Sequence, residues 1–509
     1  MNNTFDVIII GAGASGLSAA IEAATSGART LVLEKNAIPG GSSRLSVGSI
    51  NAAGTSLQRR AGIVDTPDEH FEDMDYFMGS FALKENRAFR RILVDNAAET
   101  VEWMISLGMT FYGPTGDPPH RHPRMHNILP NSRAYPYFLG RQARRRGAEI
   151  RVNTSVRHLL RGSDGGVRGV CVLVDGVEVE IEARLGVIIT AGDYSNSADL
   201  KKTFRPELAS IPAVNPTATG DGHRMGEAFG ARILNGDVIY GPGLRFCEPP
   251  TISMVRRLPP SRVLGSLMEW AMRNVPVALF RPFVLSFMTA SLGPELSMLR
   301  AGAILINSAG ERFTDELQPA GLAIAGQEGG LAWMVFDQRV AELFSKQPHY
   351  VSTAPGVAFA YLPDYKRHRK DLYHCETGVV ALARSIGLPE KALVASIEAH
   401  NVKLFSPGGV AGHQIRSQEK LYALGPLQSK IVITDGGLAV NTSHQVLRED
   451  NSVIPRLYAA GAAGQGGVLL AGNGHHICWA AISGRRAGRH VVGVAEGVKM
   501  NIGRDQVLV

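Results

Sequence analysis

The chain has 509 residues, of which 45% are hydrophobic and 19% are charged, and its formal net charge is +7. This length exceeds the roughly 250–300 residues at which single cores stop growing, so we expect two or three domains. The composition excludes a disordered or fibrous protein. The basic residues are scattered and are not interleaved with aromatic side chains, so we predict no nucleic-acid partner.

The four cysteines, Cys171, Cys247, Cys375 and Cys478, are far apart and show no metal-binding or redox spacing. This usage is typical of a reduced chain. Residues 1–6 lead directly into an apolar run, without the basic stretch and longer apolar core of an export signal. The sequence therefore predicts a cytoplasmic location.

A dinucleotide-binding pattern begins with the apolar run at residues 5–10, which is rich in β-branched side chains and predicts a buried strand. A glycine-rich turn, GAGASG, follows at residues 11–16, and a small-residue helix is predicted over residues 17–26. Residues 30–33 predict a second buried strand that ends at Glu34. The order of these elements indicates a βαβ unit that binds a dinucleotide.

Each glycine of the turn has a physical task. Gly11 allows the tight turn, Gly13 lets the backbone approach a pyrophosphate, and Gly16 lets the helix pack on the strand. The phosphates are expected at the helix N-terminus, beside Ala14 and Ser15, because free N–H groups and the helix dipole favour negative charge there. Glu34 is placed to accept hydrogen bonds from ribose hydroxyls. The adjacent Lys35 belongs either to this site or to a solvated strand end.

Residues 39–54, PGGSSRLSVGSINAAG, resemble a loop of the fumarate reductase/succinate dehydrogenase flavoprotein superfamily, which includes the ketosteroid dehydrogenases. In that family the loop runs under the pyrophosphate and along the isoalloxazine edge. The resemblance therefore implies FAD as the cofactor. It also implies contacts from Gly41, Ser42, Ser43, Ser46, Val47 and Gly48. Members with covalent flavin carry a histidine in this loop; residues 42–46 contain none, so the resemblance implies non-covalent FAD.

The resemblance continues in order along nearly the whole chain, through residues 143–156, 186–195, 219–222, 302–316, 435–441 and 456–467. It implies that the last helix directs backbone N–H groups towards flavin N1 and O2. The further FAD contacts that it implies are Val156, Ala191, Gly192, Asp221, Gly461, His476 and Ile477.

The order of the predicted elements indicates an α/β protein with a Rossmann-like FAD-binding domain. We assign this domain to residues 1–235 and 431–509, where strand-like runs alternate with helical stretches. Residues 236–430 break that pattern and predict an inserted α+β domain that caps the substrate. A substrate site between the two domains is a common arrangement.

Three charged groups that fumarate reductases use to clamp and protonate a dicarboxylate are missing. By alignment of the family motifs, their histidine falls near Pro242 and their two arginines near Ala320 and Ala471. Without those arginines two carboxylates cannot be held by bidentate pairing, so fumarate is not the expected substrate. The C-terminal tyrosine of the ketosteroid dehydrogenases also has no counterpart, because its position falls near Leu470.

We therefore predict an FAD enzyme that oxidises or reduces a C–C bond next to a carbonyl group of an apolar or alicyclic, ketone-type small molecule. The electron acceptor is not specified. Two alternatives are an enzyme acting on a C–OH or C–N bond and a flavin-binding subunit without catalysis. Candidate acids and bases are Tyr112, Tyr137, Tyr240, His475 and His476, each of which has a purely structural alternative.

Three histidines, His120, His122 and His126, lie among prolines and arginines without a shared helix face, so we predict no metal site. The apolar stretch at residues 275–300 has three interpretations. It packs within the capping domain, forms a lid over an apolar substrate, or contacts a membrane surface with Arg273 and Arg281 facing phospholipid.

Overall fold

The computed structural model describes residues 3–174, 176–249, 254–276, 279, 281, 284–285, 288–289, 292–316, 318–354, 358–404 and 414–493. The strands are Thr4–Ile10, Thr30–Leu33, Ser49–Asn51, Thr110–Thr115, Met125–Leu129, Glu149–Arg151, Ser155–Arg161, Val167–Val174, Val177–Ile189, Ile233–Leu234, Ile239–Tyr240, Gly243–Phe246, Ile304–Ile306, Leu331–Asp337, Ser352–Ala354, Ala358–Ala360, Tyr373–Thr377, Lys420–Lys430, Ile433–Thr434, Gly437–Leu438, Gln445–Leu447 and Val453–Ala459.

The α-helices are Ala14–Thr25, Gly41–Leu45, Ser56–Arg60, Pro67–Asp73, Asp75–Met78, Arg87–Ser106, Ala134–Arg145, Ala198–Phe204, Asp221–Glu227, Met254–Arg257, Arg262–Asn274, Ser297–Arg300, Ala320–Ala325, Gln338–Leu343, Leu362–His368, Val379–Ile386, Glu390–Leu404 and His475–Val491. Short 3₁₀ segments span Gly79–Lys84, Pro206–Leu208, Glu328–Gly330 and Gly461–Gly464.

The main sheet is built around strand Thr4–Ile10, which pairs in parallel with Thr30–Leu33 on one side and with Val177–Ile189 on the other. Strand Val453–Ala459 joins in parallel beyond Val177–Ile189. A continuous apolar run is expected for a strand that is covered on both faces, and Val7 to Ile9 are fully buried. The predicted α/β, Rossmann-like fold is confirmed.

A second sheet, mostly antiparallel, is built from the segment assigned to the capping domain. Strand Lys420–Lys430 lies at its centre and pairs with Gly243–Phe246, Leu331–Asp337 and Tyr373–Thr377. Its two faces are covered by separate apolar clusters. Both clusters are distinct from the cluster around the main sheet. The domain boundaries after residues 235 and 430 remain an interpretation.

The first and last described helices, Ala14–Thr25 and His475–Val491, pack with their backbones in close contact. A Cβ atom on Gly484 would lie 2.2 Å from the carbonyl oxygen of Ser15, and one on Gly488 would lie 2.4 Å from that of Ala19. Only glycine fits at these two points of approach. This contact brings residues from both ends of the sequence to one edge of the main sheet.

A small antiparallel sheet is formed by Ser49–Asn51, Met125–Leu129 and Thr110–Thr115, and helix Arg262–Asn274 of the capping segment packs against it. Gly265 allows this approach: a Cβ atom there would lie 3.0 Å from Cβ of Thr110. The two segments enclose a cavity that is described below.

Several residues of the apolar stretch at 275–300, namely 277–278, 280, 282–283, 286–287 and 290–291, lie outside the described residues. Of the others, Leu285 and Met288 are buried in the capping-domain core, as expected for internal packing. Arg281 pairs with Asp364 at 2.8 Å and Arg273 pairs with Glu269 at 3.2 Å. The two arginines expected to face phospholipid are therefore already engaged with carboxylates. Among the described helices, none is both long and apolar enough to span a membrane.

The close helix contact predicts the effect of adding one methyl group. Gly488→Ala forces a side chain against the Ala19 backbone, and we expect it to lower the free energy of unfolding by roughly 1–3 kcal/mol. Gly116→Ala is the matched control, because a Cβ atom there meets nothing within 4 Å. Urea unfolding followed by circular dichroism measures both. Equal stability of the two variants would contradict the proposed backbone contact.

Candidate active site

A deep cleft runs along the carboxyl edge of the main sheet, between the glycine-rich turn and the start of the last helix. Gly11 has a φ angle of +104°, and a Cβ atom there would lie 2.6 Å from the carbonyl oxygen of Thr190. Gly13 leaves open space, since its nearest neighbour would be the Gly40 carbonyl oxygen at 3.9 Å. The turn is therefore tight at its first glycine and open at its second, as pyrophosphate binding requires.

Glu34 is held in place by the backbone before any ligand binds. Its Oε2 accepts from the Ala12 N–H at 2.9 Å, and its Oε1 accepts from the Asn36 N–H at 2.9 Å. Lys35 donates to Asp221 at 2.7 Å and to the Thr219 hydroxyl at 2.6 Å. Lys35 is thus part of the cleft wall and is not a solvated strand end.

The start of helix Ala14–Thr25 fits the phosphates of a dinucleotide. Its N-cap is Gly13, and the Ser43 hydroxyl accepts from the N–H of its first residue, Ala14, at 3.3 Å. Ser15 borders the cleft, and its Oγ is buried without a hydrogen-bond partner. Free helix N–H groups together with an unsatisfied buried hydroxyl form a place where phosphate oxygens can accept hydrogen bonds.

A hydrogen-bonded group centred on Asp435 lies at the other end of the cleft. Asp435 is buried, and its Oδ1 lies 2.8 Å from His476 Nε2. Its Oδ2 accepts from the Tyr240 hydroxyl at 2.6 Å and from the Leu470 N–H at 2.7 Å. The ring of His476 borders the cleft, and the Tyr240 ring packs edge-on against it.

The charges of this group follow from its contacts. Burial tends to raise the pKa of Asp435, but His476 and the Leu470 and Tyr240 donors outweigh burial and lower it. Asp435 is therefore an anion. Burial, followed by the charge of Asp435, raises the pKa of Tyr240 well above its usual value. Tyr240 keeps its proton and acts as a donor to Asp435, so it does not serve as the base that the sequence suggested.

A second, apolar cavity lies between the small sheet and the capping helix Arg262–Asn274. Val47, next to the cleft residue Ser46, lies in its wall. The described residues that line this cavity are Val47, Tyr112, Asn127, Ile128, Leu129, Pro130, Asn131, Val255, Met268, Ala271, Met272, Val284, Met288 and Ala354. None of these is charged. The cleft and the apolar cavity are thus lined by adjacent residues of the predicted FAD loop, Ser46 and Val47.

The chain matches the sequence model of a family described as the FAD binding domain, over residues 6–242 and 284–474. The chain belongs to this FAD-binding family. The match spans both ends of the cleft and confirms FAD as the cofactor. It also confirms the resemblance to the fumarate reductase and ketosteroid dehydrogenase flavoproteins, and the protein is an FAD-dependent oxidoreductase.

Two relatives and one solved structure illustrate the range of the family. Fumarate reductase (cytochrome) of Shewanella frigidimarina is 27% identical over 480 residues, covering 90% of this chain and 72% of the relative. Vinyl phenol reductase of Lactiplantibacillus plantarum is 27% identical over 520 residues, covering 96% of each chain. The crystal structure of 3-ketosteroid delta1-dehydrogenase from Sterolibacterium denitrificans is 20% identical and covers 96% of this chain and 99% of its own, with a TM-score of 0.64. At this identity the structure shows a shared fold.

Most residues predicted to contact FAD lie in the wall of the cleft, which supports proposing them as contacts. They are Gly11, Gly13, Ala14, Ser15, Glu34, Lys35, Gly41, Ser42, Ser43, Ser46, Val156, Ala191, Gly192, Asp221, Gly461, His476 and Ile477. Gly16, Val47 and Gly48 are outside that wall. Gly16 serves helix packing, since a Cβ atom there would lie 2.0 Å from the Gly11 carbonyl oxygen, and Gly48 packs similarly against Ile128.

Sequence reasoning missed several residues of the cleft wall, among them Thr154, Asn215 and Thr217. Asn215 donates to the Ser42 hydroxyl at 2.9 Å and so ties a distant loop to the predicted FAD loop. Asp193 was not among the predicted FAD contacts. It also borders the cleft, and its carboxylate accepts from the backbone and hydroxyl of Ser195. Polar residues in irregular loops carry no periodic signal, so only the fold brings them together.

The structure separates the candidate acids and bases. His476 lies at the cleft and Tyr112 lies at the apolar cavity. Tyr137 lies at neither, because its side chain is 45% exposed on helix Ala134–Arg145. His475 points away from the cleft into the interior, where burial lowers its pKa to about 3. Neither Tyr137 nor His475 is placed to touch a substrate.

His475 belongs to a buried cluster with His70 and His120. The three residues are far apart in the sequence, so the sequence did not predict the cluster. The Nε2 atoms of His70 and His475 are 3.1 Å apart, and His475 Nδ1 lies 2.7 Å from the Ala471 carbonyl oxygen. The three rings offer nitrogen atoms close enough to hold a cation. However, the guanidinium of Arg124 lies 3.0 Å from His120 Nδ1, and a guanidinium can only donate. The Nε2 atom of His120 lies 3.2 Å from the Asn51 amide nitrogen, so both ring nitrogens of His120 already have a protein partner.

Buried histidines predict acid lability. Burial lowers the pKa of His444 and His475 to about 3 and that of His120, His126 and His223 to about 4. These rings bind protons less tightly in the folded chain than in the unfolded chain. Stability is therefore full above pH 6.5, the ordinary value, and falls as the pH decreases towards the lowered values. Each such histidine costs about 1.4 kcal/mol per pH unit below 6.5.

Urea unfolding between pH 7.5 and 5 measures this loss. His444→Asn should flatten the dependence, because both ring nitrogens of His444 are buried without partners and asparagine tolerates its φ angle of +60°. The exposed His158→Asn is the control and should leave the slope unchanged. An identical slope in both variants would show that burial of His444 does not govern its protonation.

Proposed function

We propose that this FAD-dependent oxidoreductase oxidises or reduces a C–C bond next to a carbonyl group in an apolar or alicyclic substrate. The observation that carries the proposal is the uncharged cavity beside the FAD loop. Met268, Met272, Met288 and Ile128 are among the apolar side chains that line it. Methionine side chains adapt to irregular apolar shapes, which suits a bulky ring system.

The same cavity disfavours a dicarboxylate. Moving an ionised carboxylate into an apolar space without a paired cation costs several kcal/mol or more. No arginine, lysine or histidine occurs among the described lining residues. By the motif resemblance, the positions of the cationic clamp of fumarate reductases fall near Pro242, Ala320 and Ala471, none of which can pair with an anion. A substrate with a single neutral carbonyl group requires no such pairing.

Tyr112 is the polar group in the cavity that is available to a substrate. Asn127 is committed, since it accepts from the Ser49 hydroxyl and donates to the Thr115 hydroxyl. Asn131 is committed as well: it donates to the Val255 carbonyl oxygen at 2.8 Å and accepts from the Arg133 N–H at 3.1 Å. The Tyr112 hydroxyl makes no hydrogen bond to the described residues, so it is free to donate to the carbonyl oxygen of a substrate.

The chemistry divides between cofactor and protein. Bound FAD supplies hydride transfer at one carbon of the substrate. The chain must stabilise the oxygen charge that develops when the neighbouring carbon gains or loses a proton, and a phenol hydroxyl placed at that oxygen does so. We assign this role to Tyr112.

We assign to His476 the role of a general acid or base beside the FAD cleft. Asp435 is an anion and holds the Nε2 side of the ring, which leaves Nδ1 to exchange a proton with the cleft. A buried carboxylate behind a histidine fixes the orientation and the tautomer of the ring, as in other acid–base pairs. Tyr240 and the Leu470 N–H keep Asp435 in place.

The relatives of this chain include enzymes named for uncharged substrates as well as enzymes named for charged ones. Vinyl phenol reductase, by its name, reduces an apolar aromatic compound, and it matches this chain over 96% of both lengths. Its example shows that the framework is compatible with substrates other than dicarboxylates. The experiment therefore compares classes of compound.

Anaerobic mixing with candidate compounds tests the proposal. The oxidised enzyme should lose its flavin absorbance with saturated alicyclic ketones, or the chemically reduced enzyme should regain it with the matching enones. Fumarate and succinate serve as controls and should react at least about 10²-fold more slowly, because they lack a cationic clamp. Preference for fumarate, or reaction only with alcohols or amines, would overturn the proposed bond and substrate class.

Tyr112→Phe separates binding from catalysis. Removing the hydroxyl while keeping the ring should lower the rate of flavin reduction or reoxidation about 10²–10³-fold, with the apolar fit of the substrate preserved. Tyr76→Phe, at an exposed site, is the matched control. Asp435→Asn should instead change the pH dependence of the rate, since it removes the anion behind His476. An unchanged rate in Tyr112→Phe would contradict the assigned role.

A further inference from the structure

One buried cysteine lies on the outer face of three antiparallel strands. These strands are Ser155–Arg161, Val167–Val174 and Val177–Ile189. Val170 and Val172 belong to the core of the main sheet. Successive side chains of a strand point to opposite faces, so Cys171, which stands between the two valines, belongs to the outer face. Cys171 is nevertheless only 3% exposed, so side chains of the neighbouring strands cover its thiol.

His158 and Glu178 are exposed side chains next to this thiol. His158 stands directly opposite Cys171 on one neighbouring strand. Glu178 stands opposite Leu173 on the other strand, which makes it a diagonal neighbour of Cys171 within reach of a long side chain. A ring nitrogen of His158, the sulfur of Cys171 and a carboxylate oxygen of Glu178 all lie within 4.8 Å of one another. We call these three residues the outer-strand site.

Arg124 already occupies the two other sets of described residues that bring metal-ligating atoms this close together. These sets are His70, His120 and His475, and Asp65, Glu69 and His122. Arg124 lies 3.0 Å from His120 and donates to both carboxylate oxygens of Asp65 at 2.7 Å. A metal ion at either set would compete with this guanidinium for the same atoms. Within the described ranges, no arginine or lysine makes a salt bridge with the outer-strand site.

We propose that the outer-strand site binds one Zn²⁺ ion through His158, Cys171 and Glu178. Zn²⁺ takes imidazole, thiolate and carboxylate ligands at about 2.0–2.3 Å in tetrahedral geometry, whereas Mg²⁺ and Ca²⁺ prefer oxygen atoms alone. Ligand atoms of such a zinc site are roughly 3.3–3.6 Å apart. The exposed side chains of His158 and Glu178 can rotate by the ångström or so that this requires.

The charges of the outer-strand site also suit a divalent ion. Burial, followed by the charge of Glu178, raises the pKa of the Cys171 thiol, so the thiol holds its proton until a metal binds. Arg157 opposes this effect, but it contributes less than the acidic neighbours. When the Zn–S bond forms, the thiol proton passes to solvent. One thiolate and one carboxylate then balance the two positive charges of the ion, and water completes its fourth position.

The bound ion would join three strands at a distance from the flavin. Glu178 lies near the start of strand Val177–Ile189, and Ile189 at its end leads into the cleft residue Thr190. At about 3.3 Å per residue, roughly 35 Å separate Glu178 from Ile189. The ion therefore stabilises the folded chain without touching FAD, and the proposal does not rest on the proposed function.

Isothermal titration calorimetry of the FAD-loaded protein, freed of metal with EDTA, tests the proposal with Zn²⁺ and without turnover. One ion per chain should bind, and Mg²⁺ should not compete. Glu178→Gln and Cys171→Ser should each weaken binding about tenfold or more, because even the partners of metal ligands contribute about 10–100-fold. Glu182→Gln, an exposed carboxylate on the same strand, and Cys375→Ser are the matched controls and should bind as the parent does.

The melting temperature supplies a second readout. Zn²⁺ should raise it in the parent and in Glu182→Gln but not in Glu178→Gln, because only the folded chain holds the three ligands together. Flavin absorbance establishes that each variant is folded, and the exposed Glu178 keeps the test decisive where Cys171→Ser fails to fold. Equal Zn²⁺ affinity of Glu178→Gln and Glu182→Gln, or no binding to the parent, would overturn the proposal. Loss of binding in His122→Asn alone would assign the ion to the set with Asp65 and also overturn it.

Discussion

The backbone contact between helices Ala14–Thr25 and His475–Val491 determines where every group of the site lies. Gly484 and Gly488 allow the last helix to approach the Ser15 and Ala19 carbonyls. The N-terminus of the first helix then faces the cleft, and the N-terminus of the last helix carries His476 into the same cleft. A larger side chain at either glycine would separate the two helix starts. One cofactor can span both only because the helices lie this close.

The nucleotide half of the site could be predicted from the sequence because its information is local. The glycine spacing, the apolar strands and Glu34 lie within one short segment, and each has a distinct physical reason. Asp435, Asn215 and the partners of His475 carry no such signal. Their roles depend on contacts between elements hundreds of residues apart, such as Asp435 with His476 and Tyr240. Sequence position alone also cannot tell which of two adjacent histidines faces the cleft.

The proposed substrate class gives the shared framework a different chemistry. The family resemblance places Pro242, Ala320 and Ala471 near the positions of the charged clamp, and none of them offers the electrostatic attraction that a dicarboxylate needs. The uncharged cavity and the single available hydroxyl of Tyr112 favour a neutral carbonyl compound instead. Both changes act in the same direction, because an apolar wall strengthens a hydrogen bond to a carbonyl and disfavours an ionised ligand.

The same helix contact has a consequence for the order of events during synthesis. Ser15 emerges from the ribosome hundreds of residues before its partner Gly484, so the nascent chain must hold the glycine-rich turn without its final neighbour. Closing so long a loop carries an entropic cost that only the finished interface repays. The cleft is therefore complete only after helix His475–Val491 has been made.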